Sequence, residues 1–196
     1  MDYYIDGEER FGSLTSFAYV LVSKLPIMKG AYHFVFDDII RTNFKELLDI
    51  GTGTGEIPIM LAKSGKFDRI YGVDPSAAYM LRIARSNSKG LACVKFRRGS
   101  SRHLGFYRKF DLIFSTISFH HWVGKLQSLR YLSVFLARGG EIRVYEFERG
   151  GSFIAKHLLP SHSATKRELV GFGKEAGLKV KHVLRKNGFI MVAFTK

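Results

Sequence analysis

The sequence predicts an α/β protein built on an open, mostly parallel sheet with helices on both faces. Short apolar segments rich in branched and aromatic residues alternate with segments whose apolar residues recur at helical spacing. A glycine-rich turn, Gly51 to Gly55, follows the first strand-like segment. Near the end of the chain, Asn187-Gly188 joins two apolar segments as a two-residue hairpin does. These observations predict parallel strands connected by helices, with one antiparallel strand added at the end.

The N-terminal region is predicted to be helical. Ser13 is a favourable N-cap for a helix that runs to about Lys24, and Pro26 ends that pattern. A second helical pattern follows Gly30 and leads to the first strand.

The remaining elements follow in a regular alternation. The predicted strands are 47–50, 69–73, 92–96, 112–114, 141–146, 178–184 and 189–194, and the predicted helices are 56–64, 76–86, 124–136 and 165–176. Gly139-Gly140 is predicted to turn the chain into the fifth strand. Open sheets of this kind bind ligands at the carboxyl ends of their strands, so the site is expected there.

No linker, repeat or low-complexity segment divides the chain of 196 residues, which contains four prolines. We therefore expect one domain, residues 1–196, with an N-terminal helical cap over residues 1–42 and the core over residues 43–196. A single cysteine, Cys93, excludes a disulfide framework. The acidic first twelve residues do not resemble a secretory signal, and no apolar run is long enough to cross a bilayer. A cytoplasmic protein is expected.

The formal net charge of +14 is concentrated in two parts of the chain. Residues 75–110 contain nine Lys and Arg residues and no acid, and residues 149–196 contain ten Lys and Arg residues and two acids. The predicted topology places these segments at opposite edges of the sheet. Basic edges of this kind can bind a phosphate backbone, and they also deter pairing between sheet edges.

The glycine-rich turn has acidic residues on both sides. Asp49 precedes Gly51-Thr52-Gly53-Thr54-Gly55, and Asp74 ends the second predicted strand. A nicotinamide dinucleotide favours G-x-G-x-x-G, but Glu56 occupies the sixth position here and would repel a pyrophosphate. S-adenosylmethionine has no phosphate, and a carboxylate at Asp49 suits its ammonium group. The turn therefore favours a methyl donor over a dinucleotide.

The chain resembles the class I S-adenosylmethionine-dependent methyltransferases over about residues 30–196. It is most similar to the small-molecule group that includes the ubiquinone- and menaquinone-biosynthesis enzymes. The segments that carry the likeness are 47–55, 71–76, 98–106, 110–115 and 136–141. The resemblance implies a Rossmann-like sheet of order 3-2-1-4-5-7-6 with strand 7 antiparallel, and a donor-binding core at 43–196. The donor-binding residues that it implies are Asp49, Gly51, Thr52, Gly53, Gly55, Asp74, Pro75, Ser100, Ser101 and Ser115.

The third motif departs from the family pattern. Gly99-Ser100-Ser101 stands where the family usually has Gly-Asp-Ala, whose aspartate takes the adenine amino group. A serine hydroxyl can accept the same hydrogen bond, but without charge assistance it holds adenine more weakly. We expect the Ser100 side chain, the Ser101 backbone and apolar packing to share this role.

The segment after the fourth strand, Ser115 to Trp122, is where the methyl group is expected to lie. His121 and His120 are the candidate proton acceptors there, because histidine titrates near neutral pH. The alternative is that both rings serve as scaffold and bond to the backbone. No metal site is expected, since adjacent histidines seldom ligate one ion and no third ligand has a suitable spacing.

Three functions remain open from the sequence. The first is methyl transfer to a small-molecule acceptor. The second is methylation of RNA, held by the basic segments 82–109 and 149–196, and the third is a non-catalytic donor-binding subunit. A monomer or a homodimer is expected, and the methyl acceptor is not identified by any residue pattern.

Overall fold

The computed structural model describes residues 26–76, 78–150 and 163–196. Within these ranges there are five α-helices, one short 3-10 helix (Phe119–His121) and eight strands. The helices are α1 (Pro26–Ile39), α2 (Glu56–Lys63), α3 (Met80–Asn87), α4 (Lys125–Val134) and α5 (Lys166–Glu175). The strands are β1 (Glu46–Ile50), β2 (Arg69–Asp74), β3 (Val94–Arg98), β4 (Phe110–Thr116), β5 (Leu136–Glu148), β6 (Ser163–Ala164), β7 (Lys179–Lys186) and β8 (Phe189–Thr195).

The sheet has the predicted topology. Its order is β3-β2-β1-β4-β5-β8-β7, and the two-residue β6 pairs with β5 beside this path. Because β6 was not predicted, the expected sixth and seventh strands are β7 and β8, and the predicted order 3-2-1-4-5-7-6 is confirmed. β8 is antiparallel to both β5 and β7, as expected, whereas β1 to β5 are parallel.

Several element boundaries differ from the predicted ones. Pro26 is the first residue of α1, where its missing N–H costs nothing, and Gly30 lies inside that helix. The third helix begins at Met80 rather than 76, because the Ser76 amide donates to the Asp74 carboxylate instead of entering a helix. Gly139-Gly140 lies within β5, where the register against β4 is irregular. The helix predicted over 13–24 lies outside the described residues.

Two apolar clusters cover the two faces of the sheet. One cluster contains the buried faces of α1, α2 and α3 packed against alternate residues of the central strands. The other contains α4, α5 and the segment 99–109, from which Leu104 and Phe106 pack against Tyr71 of β2. The part of the expected cap that is described, α1, therefore packs on the sheet itself.

A polar network ties α1 to the middle of β5. Asp38 accepts a hydrogen bond from Arg143 at 2.7 Å and one from the Tyr145 hydroxyl at 2.5 Å. Arg143 also pairs with Glu141, which in turn accepts from Lys181 of β7 at 2.6 Å. Burial alone would raise the pKa of Glu141, but the hydrogen bond from Lys181 and the charge of Arg143 outweigh it and keep that pKa below its usual value. The network therefore joins α1, β5 and β7 through charged groups.

No helix among the residues that the structure describes has both the length and the apolar composition needed to cross a membrane.

Candidate functional site

A cleft opens at the carboxyl ends of β1, β2 and β4, where the sequence predicts the site. Strand order changes direction between β1 and β4, and this is the usual position for a ligand in an open α/β sheet. The residues lining the cleft are Ile50, Gly51, Gly53, Asp74, Pro75, Met80, Ser100, Ser101, Ile117, Ser118, His121, Trp122 and Val123.

The glycine-rich turn forms the floor of the cleft in a conformation that requires glycine. Gly51, Gly53 and Gly55 have φ of 74°, 54° and 82°, values that residues with a Cβ rarely adopt. A Cβ at Gly51 would lie 2.3 Å from the Ser118 hydroxyl oxygen, and a Cβ at Gly55 would lie 2.6 Å from the Phe96 ring. The turn is thus held tightly against neighbouring elements, with its backbone exposed to the cleft.

Asp74, at the end of β2, holds the turn from the opposite side. Its two carboxylate oxygens accept hydrogen bonds from the Gly53 amide at 2.9 Å and the Ser76 amide at 2.8 Å. Burial raises the pKa of Asp74, and the two amide hydrogen bonds oppose that change. The Ser76 side chain also hydrogen-bonds to this carboxylate, whose two oxygens together can accept about four hydrogen bonds, so it keeps capacity for a ligand in the cleft.

Asp49 is the most unusual polar residue near the cleft. It is buried on β1 directly before the glycine turn, and its Oδ1 has no hydrogen-bond partner among the described residues. Burial is the main cause that raises its pKa from 3.8 to about 7; the nearby carboxylates of Asp74 and Glu56 contribute to the rise, and the hydrogen bond from Thr52 partly opposes it. A buried carboxylate without a cationic partner is costly in free energy, and this cost falls when a cation binds beside it.

The local charge therefore matches a cationic ligand. Three carboxylates, those of Asp49, Asp74 and Glu56, surround the glycine turn, and Glu56 accepts a hydrogen bond from Thr54 at 2.5 Å. A pyrophosphate would be repelled by this arrangement, whereas an ammonium and a sulfonium would be attracted. The residues present thus fit S-adenosylmethionine, and the unpartnered Asp49 oxygen is the observation that supports this fit.

The serines of the third motif line the cleft on the β3 side. The Ser101 hydroxyl lies 2.8 Å from that of Ser128 at the start of α4, and the Ser100 hydroxyl accepts from the Arg102 amide at 3.2 Å. Backbone hydrogen bonds between Ser100 and His103 close this turn. Both serines are buried and fixed in place, as a wall of a binding site requires.

Ser118 and Ile117 line the cleft; the sequence placed both in the segment expected near the methyl group but gave neither a role of its own. The Ser118 hydroxyl donates to the Ile50 carbonyl at 2.9 Å and lies 2.7 Å from the Ser115 hydroxyl. Ile117 has φ of 49°, which is strained for a β-branched residue, and its amide donates to the Tyr145 carbonyl. The spacing of Ser115 and Ser118 was the available indication; nothing in the residue types predicts the backbone of Ile117.

The two histidines have different surroundings. His121 lines the cleft, whereas His120 contacts Glu146, a fully buried carboxylate on β5. The Nδ1 atom of His120 lies 2.9 Å from one Glu146 oxygen, and its amide donates to the other at 3.2 Å. The two imidazole rings lie with their centroids 3.9 Å apart. Glu146 thus fixes His120, and His120 packs directly against the histidine of the cleft.

The structure divides the predicted site residues into two layers. Gly51, Gly53, Asp74, Pro75, Ser100, Ser101 and His121 line the cleft. Asp49, Thr52, Gly55, Ser115 and His120 lie behind that surface and support it. In the described ranges no three His, Cys, Asp or Glu side chains form a group that could hold a metal ion.

A family model described as a methyltransferase domain matches residues 47–140. This range begins at the first apolar residue of β1, contains both acidic positions of the cleft and the two histidines, and ends at Gly140.

Two curated relatives show the same likeness. The demethylmenaquinone methyltransferase of Thermotoga maritima is 32% identical over 113 residues, which are 57% of this chain and 48% of that protein. A methyltransferase of Bacillus cytotoxicus, described as uncharacterized, is 28% identical over 119 residues, which are 57% of this chain and 51% of that protein. The chain thus spans about half the length of these relatives.

Solved structures share the fold. A SAM-dependent methyltransferase from Aquifex aeolicus gives a TM-score of 0.71 at 20% identity, covering 81% of this chain and 88% of that one. A putative methyltransferase in a complex with the Haloferax volcanii Trm112 methyltransferase activator gives a TM-score of 0.72 at 17% identity, covering 85% of this chain and 90% of that one.

The chain therefore has the Rossmann-like fold of the class I methyltransferases. The resemblance to S-adenosylmethionine-dependent methyltransferases that the motifs indicated is confirmed by the family match, the curated relatives and the fold together.

Proposed function

We propose that the protein binds S-adenosylmethionine in the cleft and transfers its methyl group in line to a small-molecule acceptor. The observation that carries this proposal is the buried, unpartnered carboxylate oxygen of Asp49 beneath a glycine turn that Asp74 braces. That combination favours a cationic ligand without phosphate, and the match to a methyltransferase domain supports the same ligand.

Each part of the donor has a suitable group in the cleft or directly beneath its surface. Asp49 would balance the ammonium of the methionine end, and the backbone of Gly51 and Gly53 would lie beside it. Asp74 would accept from the ribose hydroxyls, and Ser100 with Ser101 would hold the adenine edge. When bound, S-adenosylmethionine supplies an electrophilic methyl group on a sulfonium.

The chain's own contribution would be orientation and exclusion of water. Ile50, Met80, Ile117 and Trp122 give the cleft an apolar wall beside the polar positions. Such a wall holds an acceptor in one orientation and removes competing water from the reacting atoms. An apolar small molecule is the acceptor class that suits this lining, and the demethylmenaquinone methyltransferase relative supports it.

His121 is the proposed proton acceptor for an acceptor that must lose a proton on methylation. It lines the cleft, and the His120 ring packed against it is fixed by Glu146. His120 is accordingly proposed as a positioning residue rather than a second base.

The alternatives make different predictions about turnover. An RNA methyltransferase would label RNA, and a non-catalytic subunit would bind donor without turnover or would need a partner. The solved complex with an activator is the observation that keeps the second alternative in view.

The cytoplasmic location and the monomeric or homodimeric state stay predictions.

The decisive assay uses S-adenosylmethionine radiolabelled in its methyl group with extract fractions of metabolites, RNA and protein. Label in the small-molecule fraction supports the proposal, and label in RNA or protein overturns it. For His121→Ala we expect unchanged donor affinity and a loss of turnover of about 100-fold, the usual size of general-base catalysis. Full turnover in that variant would show that the His121 ring has a structural role and is not the proton acceptor.

A further inference from the structure

We propose that the outer edge of the sheet at β3 binds single-stranded nucleic acid. The binding surface, here termed the β3 surface, consists of Lys95, Arg97, Tyr107 and Arg108. This inference goes beyond the proposed function and does not rest on it, because it concerns a surface outside the cleft.

The cations of the β3 surface lie on one face of the sheet. Lys95 pairs in register with Tyr71, and Arg97 with Val73. The side chains of Lys95 and Arg97 therefore lie on the same face of the sheet as those of Tyr71 and Val73, which is the face that the segment 99–109 covers. The Arg97 guanidinium lies 5.8 Å from the centroid of the Tyr71 ring and 5.4 Å from that of Phe106. These cation–π contacts fix the guanidinium while Arg97 stays exposed.

Arg108 completes the cationic part of the surface. Its guanidinium lies 5.2 Å from the Tyr71 ring centroid, on the same aromatic group as Arg97. It also contacts Glu46 at 3.2 Å, with more than a third of its side chain exposed. Two guanidinium groups are thus fixed around one buried tyrosine, with Lys95 close by.

The opposite edge of the sheet provides an informative comparison. On β7, Lys181, Arg185 and Lys186 lie beside the carboxylates of Glu141, Glu148 and Asp37. The positive charge of that edge is therefore largely neutralised within the fold. At the β3 edge, residues 75–110 contain no acid. Arg108 pairs with Glu46 of β1, but Arg97 contacts aromatic rings instead of a carboxylate.

Tyr107 is the feature that distinguishes this surface from a merely solvated one. Its side chain is fully exposed, more so than any other large hydrophobic side chain in the described ranges. Basic residues on an edge strand also deter edge-to-edge pairing, but that role does not require an exposed aromatic ring. An exposed ring beside fixed cations is the arrangement on which bases stack while phosphates meet the charges.

The β3 surface leads towards the cleft. β3 ends at Arg98, and Ser100 and Ser101, two and three residues later, line the cleft wall. A strand bound along β3 would therefore run towards the cleft mouth.

The test is fluorescence anisotropy with a labelled oligouridylate and a matching oligothymidylate of about 12 nucleotides, which exceeds a small binding site. The double variant Lys95→Gln/Arg97→Gln should weaken binding at least tenfold and flatten the salt dependence by roughly 1.4 in slope, since two phosphate contacts are lost. Tyr107→Ala should weaken binding about tenfold, the effect of losing one stacked base. Because Tyr107 is fully exposed, this variant keeps the fold.

The matched control removes one charge from β7 and one from the neighbouring helix α5, as Lys174→Gln/Lys179→Gln, both exposed. It should change affinity less than about twofold. Equal weakening by the control, or no affinity of the unmodified chain for either oligonucleotide, would overturn the proposal. Capture by phosphatidylserine vesicles without oligonucleotide binding would assign the surface to a membrane instead. Donor binding, measured on the same variants, should not change, so a failure here is distinct from a failure of the proposed function.

Discussion

At the scale of single residues, the cleft depends on how Asp49 and Gly51 are held. Asp49 is buried without a partner for one oxygen, and its pKa rises to about 7 because burial disfavours its charged form. Gly51, two residues later, turns the backbone so that the cleft floor is main chain rather than side chain. Each residue gives a separate prediction.

For Asp49, donor binding should be linked to proton release. The free carboxyl is half protonated at about pH 7, and a bound cation favours the ionised form. Affinity for S-adenosylmethionine should therefore fall about tenfold per pH unit below 7 and level off above it. Calorimetry in buffers of different ionisation enthalpy measures the released proton. Asp49→Asn should bind S-adenosylmethionine at least tenfold more weakly and release no proton on binding. If the affinity of this variant still depended on pH in the same way, a group other than Asp49 would be responsible for the pH dependence.

For Gly51, the cause of the glycine requirement can be separated into strain and collision. Gly51→Ala should lose donor binding, because its Cβ would overlap the Ser118 side chain, in addition to the cost of a positive φ. Gly65→Ala is the control, since Gly65 has φ of 68° and nothing within 4 Å of the added Cβ. It should lose only about 1 kcal/mol of stability and no donor affinity. Partial recovery in Gly51→Ala/Ser118→Gly would confirm the collision.

At the scale of elements, the fold places the site by joining α1 and the central strands through one charged network. Asp38 of α1 contacts Arg143 and Tyr145 of β5, and Tyr145 also accepts the Ile117 amide beneath the cleft. Tyr145 of β5 therefore contacts both Asp38 of α1 and the backbone of Ile117 beneath the cleft.

The matching prediction compares two adjacent aspartates. Asp38→Asn should lower the free energy of unfolding by about 2 kcal/mol, because a charged hydrogen-bonding partner of the buried Arg143 is lost. Asp37→Asn is the control, since its contact with Lys186 is 3.4 Å long and exposed. It should change stability by less than about 1 kcal/mol. Urea denaturation of both variants measures the difference, and equal effects would refute the role of the network.

At the scale of the whole molecule, the sequence predicted the topology better than the site. Strand and helix patterning, with the Asn187-Gly188 turn, was sufficient for the sheet order and the antiparallel β8. The glycine turn, Gly51 to Gly55, and the acidic residues Asp49 and Asp74 could also be identified from the sequence alone. Periodicity did not reveal the two-residue β6, or that α1 starts at Pro26, because such details depend on single hydrogen bonds and on tertiary packing.

The parts of the site that the sequence missed share a physical cause. Ser118 and Ile117 enter the cleft through backbone geometry, and Glu146 meets His120 across 26 positions of sequence. Contacts between distant segments leave no local pattern in the residues. The charge distribution shows the same limit. Only the structure reveals that cations of β7 have carboxylate partners, whereas Arg97 of the β3 surface contacts aromatic rings and an exposed tyrosine belongs to the same surface.

We propose that the cleft holds S-adenosylmethionine and not a dinucleotide. The most direct measurement is calorimetric titration of the chain with S-adenosylmethionine and, separately, with NAD. We predict saturable binding of one S-adenosylmethionine per chain, weakened at least tenfold in Asp49→Asn, and no binding of NAD, whose pyrophosphate meets three carboxylates at the glycine turn. Binding of NAD, or S-adenosylmethionine binding that Asp49→Asn leaves unchanged, would contradict it.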